Sequence, residues 1–165
     1  MKKRFIGKLE VSPIGMGCMG FSHGYGKIPE KQYSIEAIRK AYAFGCTFFD
    51  TAEVYGNELY WEGHNEEILG EAVESFRKNI VIATKLHIHD EEVTPNMDLY
   101  HLIKSHLEKS LKRLRTNYVD LYYLHRVNEF VPVEDVAAVM GKLIDEGLIK
   151  GWGLSQVDVD TLDKA

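Results

Sequence analysis

Apolar positions along the chain alternate between two patterns. Short runs rich in β-branched and aromatic residues read as strands: CTFFD (Cys46–Asp50), NIVIATK (Asn79–Lys85), YVDLYYLH (Tyr118–His125) and IKGWGLS (Ile149–Ser155). A shorter candidate, SPIGMG, precedes them. Between the runs, apolar residues recur at helical spacing. Ile35, Ile38, Ala41 and Tyr42 share a face that stops at Gly45. A second helix starts at Asn65, a capping residue, and runs through Ile68, Leu69, Ala72, Val73 and Phe76. The longest starts at Asp98 and aligns Leu99, Leu102, Ile103, Leu107, Leu111 and Leu114. A fourth carries Val133, Val136, Ala137, Met140, Leu143 and Ile144 up to Gly147, and a fifth begins in DTLDKA.

Strict strand–helix alternation predicts an α/β fold with a parallel sheet. Segments such as VIAT and LYYL are apolar at consecutive positions, as a sheet covered on both faces requires. No linker or low-complexity stretch interrupts residues 1–165, which read as one domain.

The stretch GMGCMG (Gly15–Gly20) has the G-x-G-x-x-G spacing of a dinucleotide-binding turn. Such a turn needs a helix to begin inside the motif, so that the helix N-terminus receives the pyrophosphate. Here FSHGYGKIPEK follows, a loop by its glycines and proline, and the first credible helix starts near Ser34. The motif therefore reads as a glycine-rich strand end that permits close approach to the backbone.

Composition narrows the class. A net charge of -5 argues against a nucleic-acid partner. The basic opening MKKRF is not followed by the apolar run of a signal peptide, and no stretch is long enough to span a membrane. Two cysteines without metal or redox spacing, Cys18 and Cys46, suit a reducing, cytoplasmic setting.

The chemistry gathers at the strand ends Gly20, Asp50, Lys85, His125 and Ser155, which follow one another at intervals of 30 to 40 residues. In a parallel β/α barrel those ends converge on one rim. Tyr55 follows Asp50 in TAEVYG and can lean over the same rim. A phenol has a pKa of about 10 in water, and an adjacent ammonium favours its ionised form. Tyr55, Lys85 and Asp50 thus suggest a general acid, the cation that tunes it and the carboxylate that anchors the cation. His125 would orient a carbonyl oxygen.

FFDTAEVYG, IATK, SLKRLRTNYVDLYYLHR and GLIKGWGLS, with the N-terminal RFIGKLEVSPIGMGCMGFS, resemble the aldo-keto reductase superfamily over essentially the whole chain. Arg126 and the long DTAEVYG loop resemble the branch of bacterial general reductases and potassium-channel β-subunit relatives. The resemblance implies a TIM-type (β/α)8 barrel, NADPH as cofactor, and reduction of an aldehyde or ketone by hydride from the nicotinamide and a proton from Tyr55. It implies Asp50, Tyr55, Lys85 and His125 as the catalytic four. It implies Met19, Gly20, Asp50, Ser155 and Gln156 at the nicotinamide end. Against that pattern the chain reads as a partial barrel, truncated after its fifth strand, with weak or no activity expected. A homo-oligomer or a complementary chain is expected over the open edges, and a non-catalytic assembly or regulatory role is the alternative.

Further signals remain. His87, His89 and Asp90 in KLHIHD, with His101 and His106, lack zinc-like spacing, so no metal is expected. His87 is a candidate wall of the substrate pocket, and Tyr60 and Trp61 either line its entrance or pack their own loop. The cluster KRLRTN reads as a solvated helix end.

Overall fold

The computed structural model describes residues 2–24 and 26–165. It opens with an antiparallel hairpin, β1 (Arg4–Ile6) and β2 (Leu9–Val11), which turns through Gly7 at a φ of 56°. The sequence pattern placed no strand here, because each arm is three residues long and β1 is exposed throughout. Reciprocal hydrogen bonds fasten the hairpin to the main sheet. Ser12 N donates to Thr47 Oγ1 at 2.8 Å, and Thr47 N donates to Ser12 Oγ at 2.9 Å.

Five parallel strands follow: β3 (Met16–Gly17), β4 (Phe48–Asp50), β5 (Val81–Leu86), β6 (Leu121–Leu124) and β7 (Trp152–Leu154). Their order in space is their order in the chain. A doubly wound dinucleotide fold reverses direction part-way across its sheet, whereas a barrel does not. The order therefore excludes the Rossmann reading of GMGCMG independently of its spacing. Gly15 has a packing role, since a Cβ there would lie 2.4 Å from Cδ1 of Phe48.

The expected strands are shorter in the structure. Val119, for example, only bridges Ile149 before β6 begins. Within the described residues β3 and β7 are the outer strands, each paired on one side.

The helices α1 (Lys31–Ala43), α2 (His64–Val73), α3 (Leu99–Arg113), α4 (Val133–Asp145) and α5 (Val159–Lys164) each follow a main strand. Their stripes bury Ile35, Leu69, Ile103, Leu107, Met140 and Leu143 in one core with Phe49, Ile82 and Tyr122. Each large aliphatic side chain so buried stabilises the fold by about 1.5–3 kcal/mol. At Gly70 α2 touches the end of α3, where a Cβ would meet Arg113 O at 2.3 Å.

Three helix boundaries differ from expectation. The helix α1 begins at Lys31, three residues before Ser34. Asn65 is not the cap of α2, which begins at His64 after Gly63 at a φ of 89°. Buried Asn65 instead accepts from Thr51 Oγ1 (2.7 Å) and donates to Cys18 O (2.9 Å) and Ser22 Oγ (2.8 Å), tying three rim segments together. Phe76 does not continue the α2 stripe. It lies in a tight turn, Glu74–Asn79, leaves helical geometry at a φ of -130°, and stacks on Tyr42 with centroids 3.9 Å apart.

The N-terminal end of β6 is locked by charge. Buried Asp120 accepts Arg77 Nη2 and Ile82 N on one oxygen, both at 2.9 Å, and Lys150 Nζ on the other at 2.7 Å.

Candidate active site

The opposite ends of the strands carry the candidate chemistry. Asp50 closes β4, Lys85 is the fifth residue of β5, and His125 follows β6. Lys85 is 8% exposed, so its ammonium depends on protein partners. All three of its hydrogen-bonding positions are matched: Asp50 Oδ1 at 2.6 Å, Thr51 O at 2.7 Å and the Tyr55 hydroxyl at 3.1 Å. Tyr55 reaches the ammonium because the loop after β4 turns back at once, its amide donating to Ala52 O at 3.2 Å.

His125 completes the rim. Its amide is held by Leu86 O at 2.8 Å, and its ring stands edge-on to Tyr55 with centroids 5.5 Å apart. Burial, then the charges of Lys85 and Arg126, lower its pKa to about 4, which leaves the imidazole neutral at ordinary pH. Its Nδ1 is buried and has no hydrogen-bond partner among the described residues.

A cleft of about 370 Å³ opens beside these groups, lined by Met19, Val54, Tyr55, His87, His125 and Arg126 among others. His87 thus stands in the cleft wall. Tyr60 and Trp61 do not line it; they pack on His64, Tyr60 stacked at 4.0 Å and Trp61 edge-on at 4.9 Å. Gly20 sits with Met19 in a short turn after β3. Ser155 follows β7, its hydroxyl accepting from Arg126 Nη1 at 3.2 Å, and Gln156 is exposed with a left-handed φ of 59°.

Comparison with known proteins places this rim in a family. The family model for the Aldo/keto reductase family matches residues 13–165. The chain belongs to that family. A probable aldo-keto reductase of Glycine max is 40% identical over 160 residues, covering 94% of this chain and 44% of its own length. An aldo-keto reductase from Bacillus halodurans in its holo form superposes with a TM-score of 0.82 at 28% identity, over 99% of this chain and 53% of that one. An aldo-keto reductase from Klebsiella pneumoniae in complex with NADPH gives 0.76 at 28% identity, over 94% and 49%. The chain spans about half the length of these relatives. Its five strands match part of the aldo/keto reductase TIM-type barrel.

Beneath the aldo/keto reductase rim lies a buried ionic network that sequence reasoning missed. Glu53, between Asp50 and Tyr55, is fully buried; Oε1 accepts the His87 amide at 2.5 Å and Oε2 meets His106 Nδ1 at 3.0 Å. Glu66, also fully buried, accepts from Arg113 Nε at 2.6 Å and Thr84 Oγ1 at 2.5 Å. Burial raises the Glu66 pKa, with Arg113 and Thr84 opposing it. The KRLRTN cluster is therefore not simply a solvated helix end, since its Arg113 turns inward. Nor does His106 join His87 and His89. The only available signal was the acid itself in DTAEVYG, flanked by residues too apolar for an exposed loop.

Proposed function

We propose that this chain, acting as one domain, carries the reacting end of an NADPH-dependent reductase of aldehydes or ketones. The observation that supports this most is the Lys85 ammonium, bonded at once to the Asp50 carboxylate and the Tyr55 hydroxyl. In this reading Tyr55 is the general acid that delivers a proton to the carbonyl oxygen. Lys85 stabilises the phenolate left behind, and Asp50 keeps the ammonium charged and aimed. In this reading a neutral His125 donates from Nε2 to the same oxygen and orients it.

The cofactor, when bound, supplies the hydride to the carbonyl carbon. The residues present fit its nicotinamide end. A Cβ at Gly17 would meet nothing within 4 Å, so the sheet face beside Asp50, its register partner, is clear for a flat ring. The backbone of Met19 and Gly20, Asp50, and the polar side chains of Ser155 and Gln156 would hold that end, and His87 would wall the substrate. The Klebsiella pneumoniae relative is in complex with NADPH. Two free, buried thiols, Cys18 and Cys46, suit a reducing cytoplasm. No helix of the described residues is long and apolar enough to cross a membrane.

The test is aldehyde-dependent oxidation of NADPH by this chain and by Tyr55→Phe. Loss of the proton donor is expected to slow turnover by about 10²–10⁴-fold. Equal rates in the two proteins, or none in either, would refute the reading. A second reading, a non-catalytic assembly partner, draws support from the outer edges of β3 and β7, which have no strand partner among the described residues. Strands beyond the described residues, including those of a second copy or a complementary chain, would pair with those edges.

A further inference from the structure

We propose that His106 is a positioning residue for the substrate cleft: a buried imidazolium between Glu53 and Glu92 that, through these carboxylates, fixes the backbone amides of His87 and His89. The inference takes its purpose from the reductase reading, but its geometry is independent of it.

His106 lies on α3, is 2% exposed, and does not line the cleft. Its Nδ1 is 3.0 Å from Glu53 Oε2 and its Nε2 is 3.0 Å from Glu92 Oε1. With both acids ionised they can only accept, so each ring nitrogen brings a proton, and a ring with two N–H groups is a cation. The second oxygen of each acid points at the cleft wall. Glu53 Oε1 accepts from His87 N at 2.5 Å, and Glu92 Oε2 accepts from His89 N at 3.0 Å. His87 and His89 both line the cleft. One cation thus holds two acids in register, and the acids hold two alternate residues of the wall.

The surrounding charges leave that task to His106. From α3, Arg113 Nη2 is 3.8 Å from Glu53 Oε2, but its close bond goes to Glu66 of α2. Glu62 lies 3.8 Å from both Arg113 Nη1 and His89 Nε2. From β6, the Tyr122 hydroxyl is buried with no partner among the described residues, and burial raises its pKa. The His87 pKa is lowered by burial, then by His89. Burial pulls the His106 pKa down, but the hydrogen bond and charge of Glu53, then those of Glu92, outweigh it, and the net direction is up. The sign follows: a histidine whose folded pKa is raised keeps its full contribution below about 6.5 and loses it as pH rises through the folded value.

The experiment is NMR of the intact chain without cofactor or aldehyde, on wild type, His106→Asn and Glu92→Gln. In wild type the His106 ring is expected to carry two N–H protons near pH 6. The His87 and His89 amide shifts should titrate with it on the alkaline side. In His106→Asn both amides should exchange about tenfold or more faster, while those of Ile82 and Ala83 in β5 keep their protection. Glu92→Gln should loosen His89 and leave His87 held, which keeps the test decisive where His106→Asn does not fold. Unchanged exchange at both amides, equal loss across β5, or a singly protonated ring near pH 6 would each overturn the proposal. None of these readouts depends on turnover, so failure here is separable from failure of the Tyr55→Phe assay.

Discussion

Arg113→Met removes a guanidinium and keeps most of its aliphatic stem. What it leaves behind decides the cost. Glu66 is 0% exposed and would be left with the Thr84 and Ser110 hydroxyls as donors, and Glu53 would lose its more distant contact at 3.8 Å. Removing one partner of a buried ion pair costs about 3–5 kcal/mol, because the remaining charge is neither hydrated nor compensated. Arg113 keeps 14% side-chain exposure, so some water reaches the site and the lower end, about 3 kcal/mol, is expected. The loss should depend on pH. Burial already raises the Glu66 pKa, and removing Arg113, the first group opposing it, raises it further. The native state then binds more protons than the unfolded chain above the usual carboxylate range, so stability falls as pH rises. Urea unfolding followed by circular dichroism, near pH 5 and near pH 7.5, measures this. The deficit should be larger at the higher pH. The double variant Glu66→Gln/Arg113→Met, which removes the stranded charge, should recover most of it. A deficit below about 1 kcal/mol near pH 7.5, or a double variant no more stable than the single, would refute the reasoning.

Two further outcomes are expected. Gly70→Ala should destabilise by about 3 kcal/mol, since its Cβ would press on Arg113 O and on Leu114 Cα at 2.8 Å, whereas Gly141→Ala in α4, with open space around it, should be neutral or stabilising by up to about 1 kcal/mol; thermal unfolding of the pair is the check. The His125 ring should remain neutral at pH 6 and take up its proton near pH 4 in NMR titration, with stability lost as pH falls from about 6.5 through that value. Lys85→Met should move that midpoint upward, and an unmoved midpoint would contradict the charge coupling between the two residues.

The rim was legible because its residues stop apolar runs. Asp50, Lys85 and His125 each break a strand pattern with a group costly to bury, and Tyr55 follows after a loop too short to carry it elsewhere. The parallel sheet was legible from alternation, but its consecutive order was not, since a doubly wound sheet alternates in the same way. The buried network was not, because its members lie far apart in the chain and each resembles an ordinary surface charge. Glu53 and His106 are separated by 53 positions, and Arg113 sits where a basic residue would favourably meet a helix C-terminus anyway. Asn65 shows a local rule overridden by tertiary demand: a residue type that suits a cap is used to join Thr51, Cys18 and Ser22, and Gly63 provides the helix entry.

Asp120 and His125 stand at opposite ends of the same short strand, about 16 Å apart at roughly 3.3 Å per residue. One end is anchored by Arg77 and Lys150; the other carries His125 into the cleft wall. Charge thus locks the floor of the strand, while its other end opens onto the cleft. Replacing the loops around His125 need not disturb the floor that holds its strand, so a lineage can retune what enters the cleft without rebuilding the structure beneath it.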